Sequence, residues 1–226
     1  MDEVAISAVI FDLDGVIVDS EPYSMQALVD VLREHGIEPS AEELRRSYGR
    51  KIRDDFMDYF ARHGVAADLD TAISRKHARY YELAAGRLKP FPGVMPLIDR
   101  LRQRGYRLAL ASSGDRRKVA FSMQPLCLNG VFETVVTGDD VSHSKPHPEI
   151  YLTAAQRLGV NPAACVAIED APNGVQAAKR AGMRCIAVTN SVPRAQLQEA
   201  DLVVESLSDD LSPVLALYTL DVESPL

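Results

Sequence analysis

The sequence predicts an α/β fold in which a doubly wound parallel sheet carries an inserted all-helical segment. Short, nearly continuous apolar runs recur along the chain, as in strands that are covered on both faces. From about residue 89 onward, helical patterns alternate with these runs, which is typical of a doubly wound sheet. Between residues 20 and 88, helical periodicity continues without a convincing strand pattern. That stretch is therefore predicted to be an insertion after the first strand.

The elements follow from these patterns in chain order. The apolar runs predict strands at 8–11, 107–112, 134–138, 165–169, 185–189 and 201–206. Helical patterns outside the insertion lie at 95–105, 148–159 and 173–182, and each ends at a glycine, a common helix stop. Residues 88–94, with two prolines and a glycine, are typical of a boundary. We therefore expect an α/β core domain of 1–19 and 89–226 and a helical domain of 20–88.

Composition limits the classes of partner. The chain has 226 residues and a net charge of −7, which opposes duplex nucleic acid, since that binding depends on clustered Lys and Arg. No apolar stretch approaches the ~18 residues that a membrane helix needs, and the acidic N-terminal residues are not expected to act as a signal sequence. The three widely spaced cysteines are expected to be free thiols in a reducing compartment. We expect a cytoplasmic protein without a nucleic-acid or membrane partner.

Two aspartates, Asp12 and Asp14, directly follow the first apolar run in the segment FDLDGV. Side chains two residues apart on an extended segment share a face, and Gly15 allows a sharp turn. In open α/β sheets, ligands bind outside the carboxyl ends of the strands, so the pair stands where a site is expected. For either aspartate alone, an ordinary turn after a strand is the alternative.

A second acid pair, Glu169 and Asp170, follows the apolar run that begins at residue 165. Carboxylates from two strand ends in one crevice make a hard oxygen site suited to Mg²⁺. A bound cation would also relieve the repulsion between them. Helix capping by Asp170 or Asn173 needs no ligand and is the alternative.

Two further segments supply groups that complement the acids. Ser112 and Ser113 end another strand pattern and can donate hydrogen bonds to a phosphate oxygen. Lys145 precedes a proline-rich helix start and can balance the negative charge. A Ser-Ser-Gly segment is often only a turn, and a lone loop lysine is usually solvated.

Together, these motifs resemble the haloacid dehalogenase-like superfamily of phosphatases and phosphomutases, closest to its β-phosphoglucomutase-like branch with a helical cap. The resemblance covers essentially the whole chain. It implies that Asp12 is a nucleophile that becomes phosphoaspartate and that Asp14 is the general acid/base. It implies a Mg²⁺ site at the Asp12 carboxylate, the Asp14 backbone carbonyl and Asp170, with Glu169 in or next to the coordination shell. Ser112 and Lys145 would hold the phosphoryl group.

The resemblance leaves the choice between phosphatase and mutase open. β-Phosphoglucomutases carry a histidine ten residues after the second aspartate, where this chain has Ser24. They also carry a phosphate-binding arginine three residues after a cap glycine, and counting from Gly49 gives Ile52. Both departures favour a phosphatase that acts on a small phosphorylated metabolite such as a sugar, polyol or sugar-acid phosphate. A non-catalytic binding protein is disfavoured because Asp12, Asp14, Lys145 and Asp170 are all intact.

The cap residues that we expect to contact substrate are Glu21, Arg50, Lys51 and Lys76. For Lys76, a solvated position on a helix is the alternative. The resemblance also implies a monomer. The histidines are predicted to be surface or loop residues rather than a zinc site; they are His35, His63, His77, His143 and His147.

Overall fold

Six parallel strands form one sheet in this protein. The structure is a computed structural model that describes residues 5–47 and 50–208. The strands are β1 (Ala8–Phe11), β2 (Arg107–Ala111), β3 (Thr134–Val136), β4 (Cys165–Glu169), β5 (Arg184–Val188) and β6 (Leu202–Val204). Their order in the sheet is β3-β2-β1-β4-β5-β6. Each begins within one residue of the start of a predicted apolar run, so the predicted fold class is confirmed.

Eight α-helices accompany the sheet in the described part of the chain. They are α1 (Glu21–Glu34), α2 (Ala41–Arg46), α3 (Ile52–His63), α4 (Leu69–Ala84), α5 (Val94–Gln103), α6 (Arg116–Met123), α7 (Glu149–Leu158) and α8 (Pro172–Arg180). The sequence patterns did not predict α6. Its first turn is basic rather than apolar, so an apolar stripe is hard to recognise. None of the helices described has both the length and the apolar character that crossing a bilayer requires.

Alternate residues of the strands face opposite layers of helices. Val9 and Phe11 of β1 belong to a core with residues of α5 and α6. Ala8 and Ile10 belong to a second core with residues of α7 and α8. Because both faces are covered, all four residues of β1 are buried, which explains the nearly continuous apolar runs.

The insertion between β1 and α5 consists of helices α1–α4 and is called the cap below. It has its own apolar cluster, which includes Leu28, Leu32, Phe56 and Phe60. The expected domain bounds, 20–88 for the cap and 1–19 with 89–226 for the core, stay a prediction. Residues 209–226 and Gly49 lie outside the residues that the structure describes.

The sheet topology places the predicted site residues at one edge. Strand β1 is central and pairs in parallel with β2 and β4, so that Phe11 stands level with Leu110 and Ile168. Just beyond it, the Asp12 backbone N–H donates to Ile168 O at 3.0 Å. The carboxyl ends of these three strands therefore lie side by side, as ligand binding in open α/β sheets requires.

Candidate active site

A cavity of about 350 Å³ lies between this sheet edge and the cap. Of the eleven predicted site residues, ten line it: Asp12, Asp14, Glu21, Arg50, Lys51, Lys76, Ser113, Lys145, Glu169 and Asp170. The eleventh, Ser112, is 1% exposed, and its hydroxyl accepts a hydrogen bond from the Gly114 N–H at 3.2 Å. Ser112 therefore lies behind the cavity wall, and Ser113 is the serine at the cavity surface.

Lys145 links acids from two strands at the base of the cavity. Its Nζ donates to Asp12 Oδ1 at 2.5 Å and to Glu169 Oε1 at 2.6 Å. The side chain is almost fully buried, which by itself would lower the pKa of Lys145, but the attraction of Asp12 and Glu169 raises that pKa above its ordinary value. Lys145 is thus a permanent buried cation, and the alternative of a solvated loop lysine is wrong.

Asp12 and Asp170 experience more burial and repulsion than Lys145 can offset. Burial, with smaller contributions from Glu169 and Asp14, raises the pKa of Asp12 to about 8 against the opposing effect of Lys145. Burial, then repulsion from Glu169 and Asp12, raises the pKa of Asp170 well above its usual value. These raised pKa values mean that the ionised acids lack enough positive charge, and further cationic charge at this position would stabilise them.

The donor set fits a hard divalent cation. Ligand oxygens of Asp12, Glu169 and Asp170 all lie within 4.8 Å of one another, and Mg²⁺ prefers carboxylate oxygens of this kind. The turn after β1 makes room for this group, because Gly15 has φ +81° and a Cβ there would lie 1.9 Å from Asp170 Oδ2. Only glycine combines that backbone conformation with so close an approach.

Glu169 is held by protein groups on both of its oxygens. Its Oε1 accepts from Lys145 and from the Tyr151 hydroxyl at 2.5 Å, and its Oε2 accepts from the Asp170 N–H at 3.1 Å. The first turn of α8 lies directly against it, since a Cβ on Gly174 would be 2.0 Å from the Glu169 carboxyl group. Glu169 is therefore better placed to orient Lys145 and Asp170 than to act as a main metal ligand.

Asp14 has a partner that the sequence did not reveal. Lys118 Nζ donates to Asp14 Oδ2 at 2.7 Å, and the Ser20 hydroxyl donates to Asp14 Oδ1. Burial would raise the pKa of Asp14, but Lys118 and Ser20 outweigh it and hold that pKa below its ordinary value. The available signal was Asp115, which precedes the first residue of α6 and accepts a hydrogen bond from the Lys118 N–H at 2.7 Å. It marks a helix start that aims Lys118 at the cavity.

The cap contributes charged groups that are also buried. Lys76 is 5% exposed and donates to Ser24 Oγ at 2.9 Å, so the alternative of a solvated helix residue is wrong. Burial, together with repulsion from Lys118, lowers the pKa of Lys76 to about 8. Asp55, which the sequence did not single out, is 4% exposed, and burial raises its pKa to about 7 although Arg50 Nη1 lies 3.4 Å away.

The other cap candidates differ in how they are held. Lys51 Nζ donates to the backbone oxygen of Val141 at 2.9 Å, which ties the start of α3 to the core. Burial is also the main cause of the raised pKa of Glu21. The cap side of the cavity therefore carries charges of both signs beside apolar side chains such as Met25, Leu28 and Ile73.

Fold and site together define a class of protein, an α/β protein whose acids gather at the carboxyl edge of a parallel sheet beneath a helical cap. The family model described as "Haloacid dehalogenase-like hydrolase" matches residues 9–188, most of the chain. This chain belongs to the haloacid dehalogenase-like hydrolase family, and the resemblance stated from the motifs is confirmed.

Individual relatives agree with this assignment. The chain is 35% identical over 182 residues to the phosphorylated carbohydrates phosphatase of Thermotoga maritima, covering 80% of this chain and 84% of that protein. It is 33% identical over 211 residues to hexitol phosphatase B of Escherichia coli K12, covering 90% and 94%. The solved structure of β-phosphoglucomutase from Clostridium difficile superposes with a TM-score of 0.86 at 25% identity, covering 94% and 97%. The predicted class, phosphoric monoester hydrolase, is thereby confirmed.

Proposed function

We propose that this protein is a Mg²⁺-dependent phosphatase that hydrolyses a small phosphorylated metabolite through a phosphoaspartate on Asp12. One observation carries the proposal: the buried Asp12 carboxylate is held by Lys145 at the base of the cavity between the sheet edge and the cap. An aspartate can approach a phosphate dianion only if nearby cations screen the repulsion. Lys145 supplies one such charge directly beside the nucleophile.

In the proposed mechanism, each residue has one task. Asp12 attacks phosphorus while Lys145 orients its carboxylate and Ser113, the serine at the cavity surface, donates to the phosphoryl oxygens. Asp14 protonates the leaving oxygen and later activates water. Its pairing with Lys118 favours the carboxylate form, which suits the second role; for the first role Asp14 must take up a proton when the negatively charged phosphate binds beside it, and it gives that proton to the leaving oxygen.

Mg²⁺ would be held by the Asp12 carboxylate, the backbone carbonyl of Asp14 and Asp170, with Glu169 beside them. When bound, the ion supplies positive charge that stabilises the transferring phosphoryl group. The raised pKa values of Asp12 and Asp170 support this placement, because a cation there would favour the ionised form of both acids.

The proposed substrate is a sugar, polyol or sugar-acid phosphate. The names of the two phosphatases from Thermotoga maritima and Escherichia coli support this class, as do the polar groups that the cap presents to the cavity, among them Arg50, Asp55 and Lys76. We further propose that the enzyme acts as a cytoplasmic monomer without nucleic-acid or membrane partners, in line with its net charge of −7.

A β-phosphoglucomutase-type mutase is the second candidate function, and the likeness to the solved β-phosphoglucomutase favours it. A mutase must retain a bisphosphate intermediate and bind a second phosphate on its far side. At the position of the mutase histidine this chain has Ser24, whose hydroxyl accepts from Lys76. A serine cannot take the place of an imidazole as an acid or base near neutral pH, and this supports hydrolysis.

A phosphate-release screen tests the proposal. Phosphorylated hexoses, pentoses, polyols and sugar acids are incubated with the protein and Mg²⁺, beside β-glucose 1-phosphate with a bisphosphate primer. We expect phosphate release from at least one of the former, and Asp12→Asn should abolish it. Conversion to glucose 6-phosphate without phosphate release would make the protein a mutase, and full turnover by Asp12→Asn would exclude the phosphoaspartate.

A further inference from the structure

Three side chains that ligate metals converge outside the active-site cavity, in the loop that leads into α7. They are His143, His147 and Glu149, and their ligand atoms lie within 4.8 Å of one another. His143 Nδ1 is 2.8 Å from Glu149 Oε2 and His147 Nδ1 is 3.8 Å from the same oxygen. None of the three lines the active-site cavity. They form a cluster separate from Asp12 and Asp170.

The carboxylate of this cluster is fixed by the backbone. The N–H groups of Ser142 and His143 donate to Glu149 Oε1 and Oε2, each at 2.9 Å. These bonds are the main reason that the pKa of Glu149 falls to about 2, so the group is an anion at neutral pH. The loop is thus wrapped around a preformed charged ligand atom instead of depending on a flexible side chain to supply it.

The two imidazoles approach the same oxygen. Their ring centroids are 4.4 Å apart and the rings are inclined by 33°, and both side chains are at least half exposed. In a tetrahedral site with bonds of about 2.0–2.1 Å, neighbouring donor atoms stand about 3.4 Å apart. The distances of 2.8 and 3.8 Å lie on either side of that spacing, so small side-chain rotations would suffice.

We propose that His143, His147 and Glu149 form a second cation site, for a first-row transition ion such as Zn²⁺ or Ni²⁺, with water completing the coordination. Two imidazoles with one carboxylate suit these ions and disfavour Mg²⁺, which prefers oxygen ligands. This departs from the sequence prediction that no histidine belongs to a zinc site. His143 and His147 stand four residues apart, and the loop brings both rings to the carboxylate.

The position of the site gives it a consequence for the enzyme. Lys145 lies in the chain between His143 and His147, and its buried Nζ holds Asp12 and Glu169. An ion bound by both histidines would tie together the two ends of the segment that carries Lys145. Because the ion binds the folded loop, it would also stabilise the native state, by an amount that rises with the logarithm of the ratio of ion concentration to Kd.

Zinc binding to the full chain, measured by competition with a chromophoric chelator, tests the site. Saturating Mg²⁺ is present throughout to occupy the carboxylate site. We expect one Zn²⁺ per chain and an affinity for Zn²⁺ that is lowered about tenfold or more in His143→Ala and in His147→Ala. Removing a residue that only supports a metal ligand already lowers metal affinity by about this factor. His63→Ala is the matched control, because His63 pairs with Glu43 far from this loop in the chain, and its affinity for Zn²⁺ should be unchanged.

The imidazole NMR signals of the unmodified protein provide a second readout that does not depend on the folding of variants. Under Zn²⁺, those of His143 and His147 should shift together while that of His35 stays in place. Equal affinity in wild type and in both loop variants, or shifts confined to other histidines, would overturn the proposal. Zinc binding that increasing Mg²⁺ removes would also overturn it, because the ion would then occupy the carboxylate site.

Discussion

At the scale of single residues, the site is a set of buried charges that depend on one another. Seven charged side chains in the described part of the chain are less than a tenth exposed: Asp12, Asp55, Lys76, Lys118, Lys145, Glu169 and Asp170. A buried charge is costly unless it is paired and hydrogen-bonded. Lys145 and Lys118 each have a close carboxylate partner, whereas Asp55 Oδ1 accepts no hydrogen bond. Removing a partner should therefore affect function or stability strongly.

Lys118→Met should lower kcat and move the acid limb of the kcat–pH profile to higher pH. The reason is that Lys118 opposes the effect of burial on Asp14, and an opposite charge at this range typically holds a carboxyl pKa down by about 1–3 units. The limb should move by a similar amount, because Asp14 must be ionised to activate water. The measurement is phosphate release against pH.

Lys118→Arg keeps the charge and should restore most of the original profile. Arg116→Met, a change at an exposed position of the same helix, should leave the profile unchanged. An unshifted acid limb in Lys118→Met would show that Lys118 does not control the ionisation of Asp14.

Asp55→Asn should stabilise the protein at pH 7.5 but not at pH 4. The pKa of Asp55 is about 7 in the folded state against an ordinary value of 3.8. Between these values the folded state keeps a proton that the unfolded state has lost, so the free energy of unfolding falls as pH rises. The Asp55→Asn variant avoids this loss, so its free energy of unfolding at pH 7.5 should exceed that of the wild type by about 2–4 kcal/mol.

Urea denaturation at both pH values measures the difference. Asp58→Asn is the control, because Arg62 lowers the pKa of Asp58 on the same helix, and this variant should show no gain at pH 7.5. A gain for Asp55→Asn that is equal at pH 4 and pH 7.5 would contradict a titration of Asp55.

At the scale of elements, the site depends on how closely the turns and helix starts approach one another. The first turn of α8 rests on the Glu169 carboxyl group at the end of β4, and Gly174 permits that contact. In the same way, Gly15 lets the turn after β1 reach Asp170. The acids are thus positioned by backbone elements that leave no room for a side chain.

Gly174→Ala should destabilise the fold by about 2 kcal/mol, the usual scale of overpacking. The new Cβ would meet Glu169 at 2.0 Å and displace the acceptor of Lys145. Helix propensity alone predicts the opposite sign, because alanine favours a helix over glycine. The two effects predict opposite signs for the change in the free energy of unfolding, which urea denaturation measures. A stabilised Gly174→Ala would show that α8 does not press on Glu169.

Gln176→Ala in the same helix serves as the reference for that experiment. Its side chain is partly exposed and bonds to Glu199 at the surface. Such a substitution should change stability by about 0.5 kcal/mol or less.

At the scale of the whole molecule, the active site lies between the α/β core and the helical cap, which meet over the cavity. Two polar contacts join the start of α3 to the loop before α7: Lys51 Nζ with the Val141 carbonyl at 2.9 Å, and the Ser144 hydroxyl with the Asp54 carboxylate. Each involves a charged group, and such a hydrogen bond contributes about 1.5–3 kcal/mol net. Contacts of this strength can hold the cap in place and still allow it to open for substrate.

The double variant Lys51→Met/Asp54→Ala should open the cap in the absence of substrate. Small-angle X-ray scattering should then report a larger radius of gyration than that of the wild type, because both contacts between the start of α3 and the loop before α7 are lost. Arg75→Met is the control, since Arg75 pairs with Glu34 inside the cap and does not cross the gap. An unchanged radius of gyration in the double variant would mean that other contacts hold the cap closed, such as those of His77 with Asp115 and of Tyr80 with Ser122.

The sequence by itself determined the sheet, the helical insertion and the acids at the strand ends. Apolar periodicity is a local property of the sequence, and strand ends in a parallel sheet meet at one edge. Asp12, Glu169 and Asp170 can therefore be assigned to one site from the sequence alone. Only the tertiary structure decided which charged side chains pair with the acids and lysines of the site. Lys118 stands 104 residues from Asp14, and the burial of Asp55 and Lys76 depends on how the cap packs. Local sequence cannot reveal such pairings, because burial and charge balance arise only when distant segments exclude water together.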